Sequence, residues 1–137
     1  MSIHFFIEGT PCGQPRPRFN GHHAYNPPGP IDAWKAAIAY GSRIHRPKLP
    51  LTGPLEVNLS FVFDRPKSHY KGELLRPNAP IHHIIKPDKD NLDKAALDTL
   101  TREGFWVDDS QVARGYTCKR YVSRDEKAGV LIFISPL

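Results

Sequence analysis

Cysteine is nearly missing from this chain: Cys12 and Cys118 are the only two in 137 residues. Two thiols cannot build a disulfide framework or a four-thiolate zinc site, and no Cys-x-x-Cys occurs. Long apolar runs are missing too. None approaches the roughly 20 residues that a helix needs to cross a bilayer, so a membrane partner is not expected. There is no internal repeat and no sign of a second domain. The opening MSIHFFIEG has no basic start, and its apolar stretch is short for a secretory signal, so a cytoplasmic protein is expected. Acidic residues are scarce in the first part: residues 1–85 carry 10 Lys and Arg against 5 Asp and Glu.

What is present is the composition of an ordinary globular protein, with 39% hydrophobic and 24% charged residues. The length suits one domain over residues 1–137 and is short for two. The net charge of +5 is unevenly spread. Residues 86–137 carry 9 bases and 9 acids, and seven of the chain's 14 acids fall between Asp88 and Asp109. A basic surface attracts polyanions. Clustered carboxylates repel phosphates unless a divalent cation sits between them. A metal-dependent enzyme acting on nucleic acid would want both features, although two solvated faces of opposite sign would have the same composition.

The hydropathy pattern predicts strands at Ile3–Glu8, Leu55–Phe63, 81–85, 111–121 and 129–135, and helices at 31–46 and 90–102. Leu55, Val57, Leu59, Phe61 and Phe63 alternate with polar residues, which makes that strand the clearest. Trp34, Ala37, Ile38, Gly41 and Ile44 share a face of the first helix, with Asp32 placed to cap it. Leu92, Ala96 and Leu100 form the stripe of the second, which Gly104 ends. Residues 10–19 and 20–30 are rich in Pro and Gly and read as loop. Residues 66–80 are polar, without periodicity, and read as a mobile loop near a binding surface. The order β-α-β-β-α-β-β, with strands in adjacent runs, predicts an α+β fold.

The chemistry concentrates in Lys86-Pro87-Asp88-Lys89-Asp90-Asn91-Leu92-Asp93-Lys94. Pro87 disfavours helix at Lys86, so Lys86 to Asp88 are extended, and Asp88 and Asp90 then project together. Asp90, Lys94 and Asp98 follow at four-residue spacing on a helix face turned roughly 160° from the apolar stripe. Asp108 and Asp109 sit on a turn after Phe105 and Trp106, and that turn can return near Asp88 and Asp90. Converging carboxylates suit Mg²⁺ or Mn²⁺, and such a metal can activate water and polarise a phosphodiester. Lys94 could bind the phosphate or offset developing charge. The same residues also allow plainer roles: a surface ion-pair ladder, a helix cap and a turn.

Lys86-Pro87-Asp88-x-Asp90-Asn91-Leu92-x-Lys94, then Leu97-Asp98-x-Leu100, then Trp106-x-Asp108-Asp109-x-Gln111-Val112, resembles the RusA family of Holliday junction resolvases, small endodeoxyribonucleases common in prophages and phages. Gln14-x-Arg16-Pro17-Arg18-Phe19 resembles an early Arg-Pro-Arg segment of that family. The resemblance implies a two-layer sandwich of a mixed sheet with helices. It implies a homodimer that nicks opposing strands of a four-way DNA junction with Mg²⁺ (or Mn²⁺ as substitute) in recombination and repair. It implies Asp88, Asp90 and Asp109 as metal-binding catalytic aspartates, Lys94 as the catalytic lysine, and Asp108 as a further ligand or orienting group. The pattern is departed from at Lys89, where an apolar residue is usual, and at Asp93, where an uncharged one is. Arg16, Arg18, Lys86, Lys89 and Lys119 are the expected DNA contacts, mainly through phosphates. Two other functions stay open on sequence alone: a non-catalytic module for branched DNA, and a broader metal-dependent nuclease of flaps or forks. Adjacent histidines, His22-His23 and His82-His83, point to opposite faces of a strand and make a shared zinc awkward. Phe105 and Trp106 are expected in the core.

Overall fold

A computed structural model of the chain describes residues 1–15, 18–22, 24–25 and 29–137, with residues 18, 24 and 25 described through their backbone. In chain order the elements are β1 (Ile3–Glu8), β2 (Arg18–Phe19), β3 (Ala24–Tyr25), α1 (Pro30–Ser42), β4 (Leu55–Phe63), β5 (Tyr70–Lys71), β6 (Leu74–Leu75), α2 (Lys89–Arg102), β7 (Val112–Arg114), β8 (Thr117–Tyr121) and β9 (Gly129–Pro136). The main sheet runs β1-β9-β4-β7, and β8 follows β7 along the same edge of β4. β9 is antiparallel to both β1 and β4, whereas β7 and β8 are parallel to β4. The sheet is therefore mixed, and with the two helices the fold is α+β, as the order of elements predicts.

The alternation in β4 decides which face is covered. Leu55, Val57, Leu59, Phe61 and Phe63 are all buried, together with Val130, Ile132 and Ile134 of β9 and Phe5 and Ile7 of β1. Both helices lie against this face. α2 contributes Leu92, Ala96 and Leu100, each fully buried, and α1 contributes Trp34 and Ile38. Burying a leucine of this kind contributes about 1.5–3 kcal/mol. Phe105 and Trp106 are also fully inside, and Trp106 donates its indole N–H to Thr101 Oγ1 at 2.7 Å.

Four expectations are corrected. The strand expected at 81–85 is a single bridge between His82 and Arg120. Only His83 of this segment is buried, and Ile81, Ile84 and Ile85 are exposed, so no periodic face exists to support a longer ladder. The strand expected over 111–121 breaks into β7 and β8. The break falls at Gly115, where a Cβ would lie 1.9 Å from the Val57 carbonyl oxygen. Residues 66–80 contain a short helical turn (Lys67–His69) and the β5–β6 hairpin. The Arg65 guanidinium ties this region down by donating to the carbonyls of Val122 and Pro80. Finally, α1 ends at Ser42 and gives way to a single 3-10 turn (Arg43–His45), leaving Ile44 exposed; Gly29 occupies the N-cap, and Asp32 lies in the first turn.

Candidate active site

The start of α2 carries a good capping residue that does not cap. Asp88 occupies the N-cap in extended conformation, with φ −72° and ψ 150°, but its side chain makes no capping hydrogen bond. An aspartate at this position usually accepts from the first free N–H groups of the helix. Here Asp88 Oδ2 instead accepts from Lys86 Nζ at 3.1 Å. Asp90, in the first turn, accepts from the Asn91 N–H at 3.0 Å. Both carboxylates are exposed. Helix α2 begins one residue earlier than the spacing predicts, at Lys89, and its acidic entrance is open to solvent.

Strand β8 faces this entrance with every second residue. Thr117, level with Leu59 of β4, donates its hydroxyl to Asp93 Oδ1. Lys119, two residues on, donates to the Ile85 carbonyl at 2.7 Å. Lys119 has its pKa lowered by burial, opposed by the nearby Asp88 carboxylate and reinforced by Lys86. Lys86, Asp88 and Lys119 thus form one charged group at the head of α2.

The acidic turn returns farther along the helix. Asp108 caps a 3-10 turn (Asp109–Gln111) by accepting from the Ser110 N–H at 2.8 Å. That backbone hydrogen bond holds the Asp108 carboxyl below its usual range. Asp109 is pushed up, first by desolvation, then by the charges of Asp108 and Asp98, with Lys94 opposing. The turn packs against α2, with the charges of Asp98 and Lys94 within reach of Asp109. Lys35 of α1 belongs to the same neighbourhood: burial lowers its pKa, Asp98 raises it, and Arg102 and Lys94 lower it. Lys94 stands four residues from Asp90 and four from Asp98, between the two acidic groups.

Among the described residues, no three His, Cys, Asp or Glu side chains come close enough together to hold one metal ion. The donors themselves fit a hard divalent cation. The candidate donors, Asp88, Asp90 and Asp109, are all carboxylates, and a cation would relieve the repulsion from Asp108 and Asp98 that helps raise Asp109. The histidines fit a metal less well: His82 is exposed whereas His83 is buried and stacked on Phe63, so they point apart. His22 is exposed, and His23 lies outside the described residues.

Of the expected DNA contacts, Arg16 lies outside the described residues, and Arg18 is described through its backbone in β2. Lys86 and Lys119 come together at the head of α2. Lys89 pairs with Asp93, 3.7 Å away, so the two positions that depart from the resembled motif contact each other. Sequence reasoning missed Thr117 and Lys35. Neither belongs to a motif, and both are brought in by tertiary packing. Gln14 stands in the resembled segment, but its contact was not legible: its backbone N–H donates to the Asn91 carbonyl at 2.9 Å and ties the residues before β2 to the first turn of α2.

The acidic helix start, the lysine one turn on and the returning acidic turn all lie within a stretch that matches a family model, Endodeoxyribonuclease RusA, over residues 8–135. The chain belongs to the RusA family. It is 30% identical over 136 residues to the Uncharacterized protein YqaN of Bacillus subtilis (strain 168), covering 95% of this chain and 94% of that protein. A shorter match of 25 residues is 68% identical to the Crossover junction endodeoxyribonuclease RusA of Escherichia coli (strain K12), covering 18% of this chain and 21% of the relative. The same figures hold for the protein of that name in Shigella sonnei (strain Ss046). Membership of the RusA family supports an endodeoxyribonuclease, and no helix among the described residues is long and apolar enough to cross a membrane.

Proposed function

We propose that this RusA-family chain is a Mg²⁺-dependent endodeoxyribonuclease that resolves four-way DNA junctions by paired, symmetric nicks. One observation carries the reading: an N-cap aspartate that does not cap, followed by Asp90 and Lys94 on one exposed helix edge, inside a chain of this family. Asp88, Asp90 and Asp109 would hold the metal, and Mn²⁺ would substitute for Mg²⁺. Bound metal supplies polarisation of the phosphodiester and activation of water. Lys94 places an ammonium beside the phosphate and offsets the charge that grows on it. Lys86 and Lys119 hold the flanking backbone, and Arg16 and Arg18 contact phosphates. Asp108 serves the turn, because its Oδ1 is committed to the Ser110 N–H.

Paired cuts need two sites with fixed separation, which a two-fold dimer supplies. The sheet face opposite the helices supports this. Its central rungs, Phe6–Leu131–Ser60–Cys118 and His4–Phe133–Asn58, carry no formal charge with histidine neutral. Leu131 is 40% and Phe6 38% exposed there. A second copy of the chain is the occupant proposed for this face, and the cytoplasm, where DNA is at hand, is the proposed location.

The test is cleavage of an immobile four-way junction beside linear duplex and flap DNA, with Mg²⁺ or EDTA, using Asp90→Asn as control. Symmetric nicks confined to the junction are expected, with a loss of about a hundredfold or more in the variant and junction binding retained. Equal cutting of flaps would instead make it a broader nuclease. Binding without any cut would make it a non-catalytic module.

A further inference from the structure

The edge of α2 that carries Asp90, Lys94 and Asp98 is useful only if the helix is set at the right rotation and depth. Its apolar stripe fixes depth better than rotation, because apolar burial is non-directional and Ala95 and Ala96 bury only small side chains. A directional polar contact fixes rotation better, since a hydrogen bond weakens steeply when its angle opens.

Asp93 makes such a contact. It lies next to Lys94 and one turn from Asp90, and its side chain is only 25% exposed. Oδ1 accepts the hydroxyl of Thr117, and Oδ2 lies 3.7 Å from Lys89 Nζ, one turn back on the same helix. Thr117 is a firm anchor in its turn. It is level with Leu59 in the parallel β4–β8 ladder, and the preceding residue, Tyr116, accepts the Leu59 N–H at 3.0 Å. The contact therefore runs from the sheet, through one hydroxyl, to the turn of α2 that bears the proposed site.

We propose that Asp93, held between Thr117 and Lys89, is a positioning residue that sets the pose of Asp90 and Lys94. The proposal rests on the reading of that helix edge as a nuclease site. A group that does not itself touch the reacting atoms matters here because a misplacement of about 1 Å can cost about a hundredfold in rate.

Thr117→Val and Thr117→Ser separate the hydroxyl from the shape. Valine keeps the β-branched shape suited to a strand, and only serine keeps the donor. Four quantities are measured: single-turnover junction cleavage in Mg²⁺, junction affinity without metal, Mn²⁺ affinity by electron paramagnetic resonance, and the unfolding midpoint. Thr117→Val is expected to cut about 10- to 100-fold more slowly, to bind Mn²⁺ several-fold more weakly, and to bind junction within about twofold of the parent. Thr117→Ser is expected to restore most of both losses. Adding Asp93→Ala to Thr117→Val is expected to cost little more, because the two act as one unit. Parental rate and Mn²⁺ affinity in Thr117→Val would overturn the proposal. So would a Thr117→Ser variant as slow as Thr117→Val, or a rate loss that merely tracks the unfolded fraction. A parent chain that cuts no DNA would sink the nuclease reading alone, and the Mn²⁺ affinities of the valine and serine variants would still decide the positioning role. A parent that also takes up no Mn²⁺ would overturn both.

Discussion

Gln111 closes the turn that Asp108 opens. Gln111 Oε1 accepts from the N–H groups of Val107 and Asp108, at 2.9 and 3.0 Å, while Asp108 Oδ1 accepts from Ser110. The Gln111 amide then donates to the carbonyls of Leu51 and Gly53, each at 3.0 Å. One side chain thereby fastens the Asp109 turn to the segment before β4.

Gln111→Ala removes all four contacts. At about 0.5–1.5 kcal/mol net per hydrogen bond, with solvent replacing part of the loss, a destabilisation of about 1–3 kcal/mol is expected. Urea unfolding reads the stability. Cleavage should fall as well, since Asp109 rides on the turn. Unchanged stability and rate would show that the turn is held by other contacts.

Arg120 and Glu126 form a two-point pair, with Nη1–Oε1 at 2.6 Å and Nη2–Oε2 at 2.7 Å. The pair and the Ser123 N–H bring the Glu126 carboxyl down to about 2, from an ordinary value of 4.5. A folded-state pKa below the unfolded one means stability that is fully present above about pH 4.5 and is lost as pH falls towards 2. Glu126→Gln should therefore be less stable than the parent at pH 7, and the gap should narrow between pH 4.5 and 2. A gap that stays constant over that range would mean the pair contributes nothing through its charge.

Gly115 leaves no room for a side chain, because its missing Cβ would press on the Val57 carbonyl. Gly115→Ala must push β7–β8 away from β4, and a cost of about 3 kcal/mol or more is expected. Thermal unfolding checks this. A loss below about 1 kcal/mol would mean that the two strands slide apart freely.

Leu131→Arg places a charge in the middle of the uncovered sheet face. Sedimentation of the parent is expected to show a dimer and that of the variant a monomer, with circular dichroism unchanged. Junction cleavage should become unpaired, leaving single nicks. A variant that remains dimeric would move the two-fold interface elsewhere.

The parts of this molecule that repeat were legible in its sequence. Period two in β4 located the central strand and its buried face, and the Leu92–Ala96–Leu100 stripe located α2 to within a residue. The parts that depend on a single contact were not. Residues 81–85 looked like a strand because isoleucines flank two histidines, yet only His83 finds cover, stacked on Phe63. The strand break at Gly115 depends on how closely one backbone approaches another, which leaves no mark in hydropathy. The site divides the same way. Asp88, Asp90, Lys94 and Asp109 carry a motif and could be named from it as candidates. Thr117 is 24 residues from Asp93, and nothing along the chain announces that they touch.

The Gln14 N–H that meets the Asn91 carbonyl has a mechanical side. Gly13 sits so close by that a Cβ there would lie 2.9 Å from Pro87 and 3.1 Å from Asn91. The chain that goes on to Arg16 and Arg18 therefore leaves from the same turn that bears Asp90. On the proposed reading, in which those arginines grip phosphates and Asp90 serves the cut, grip and cut would share one lever.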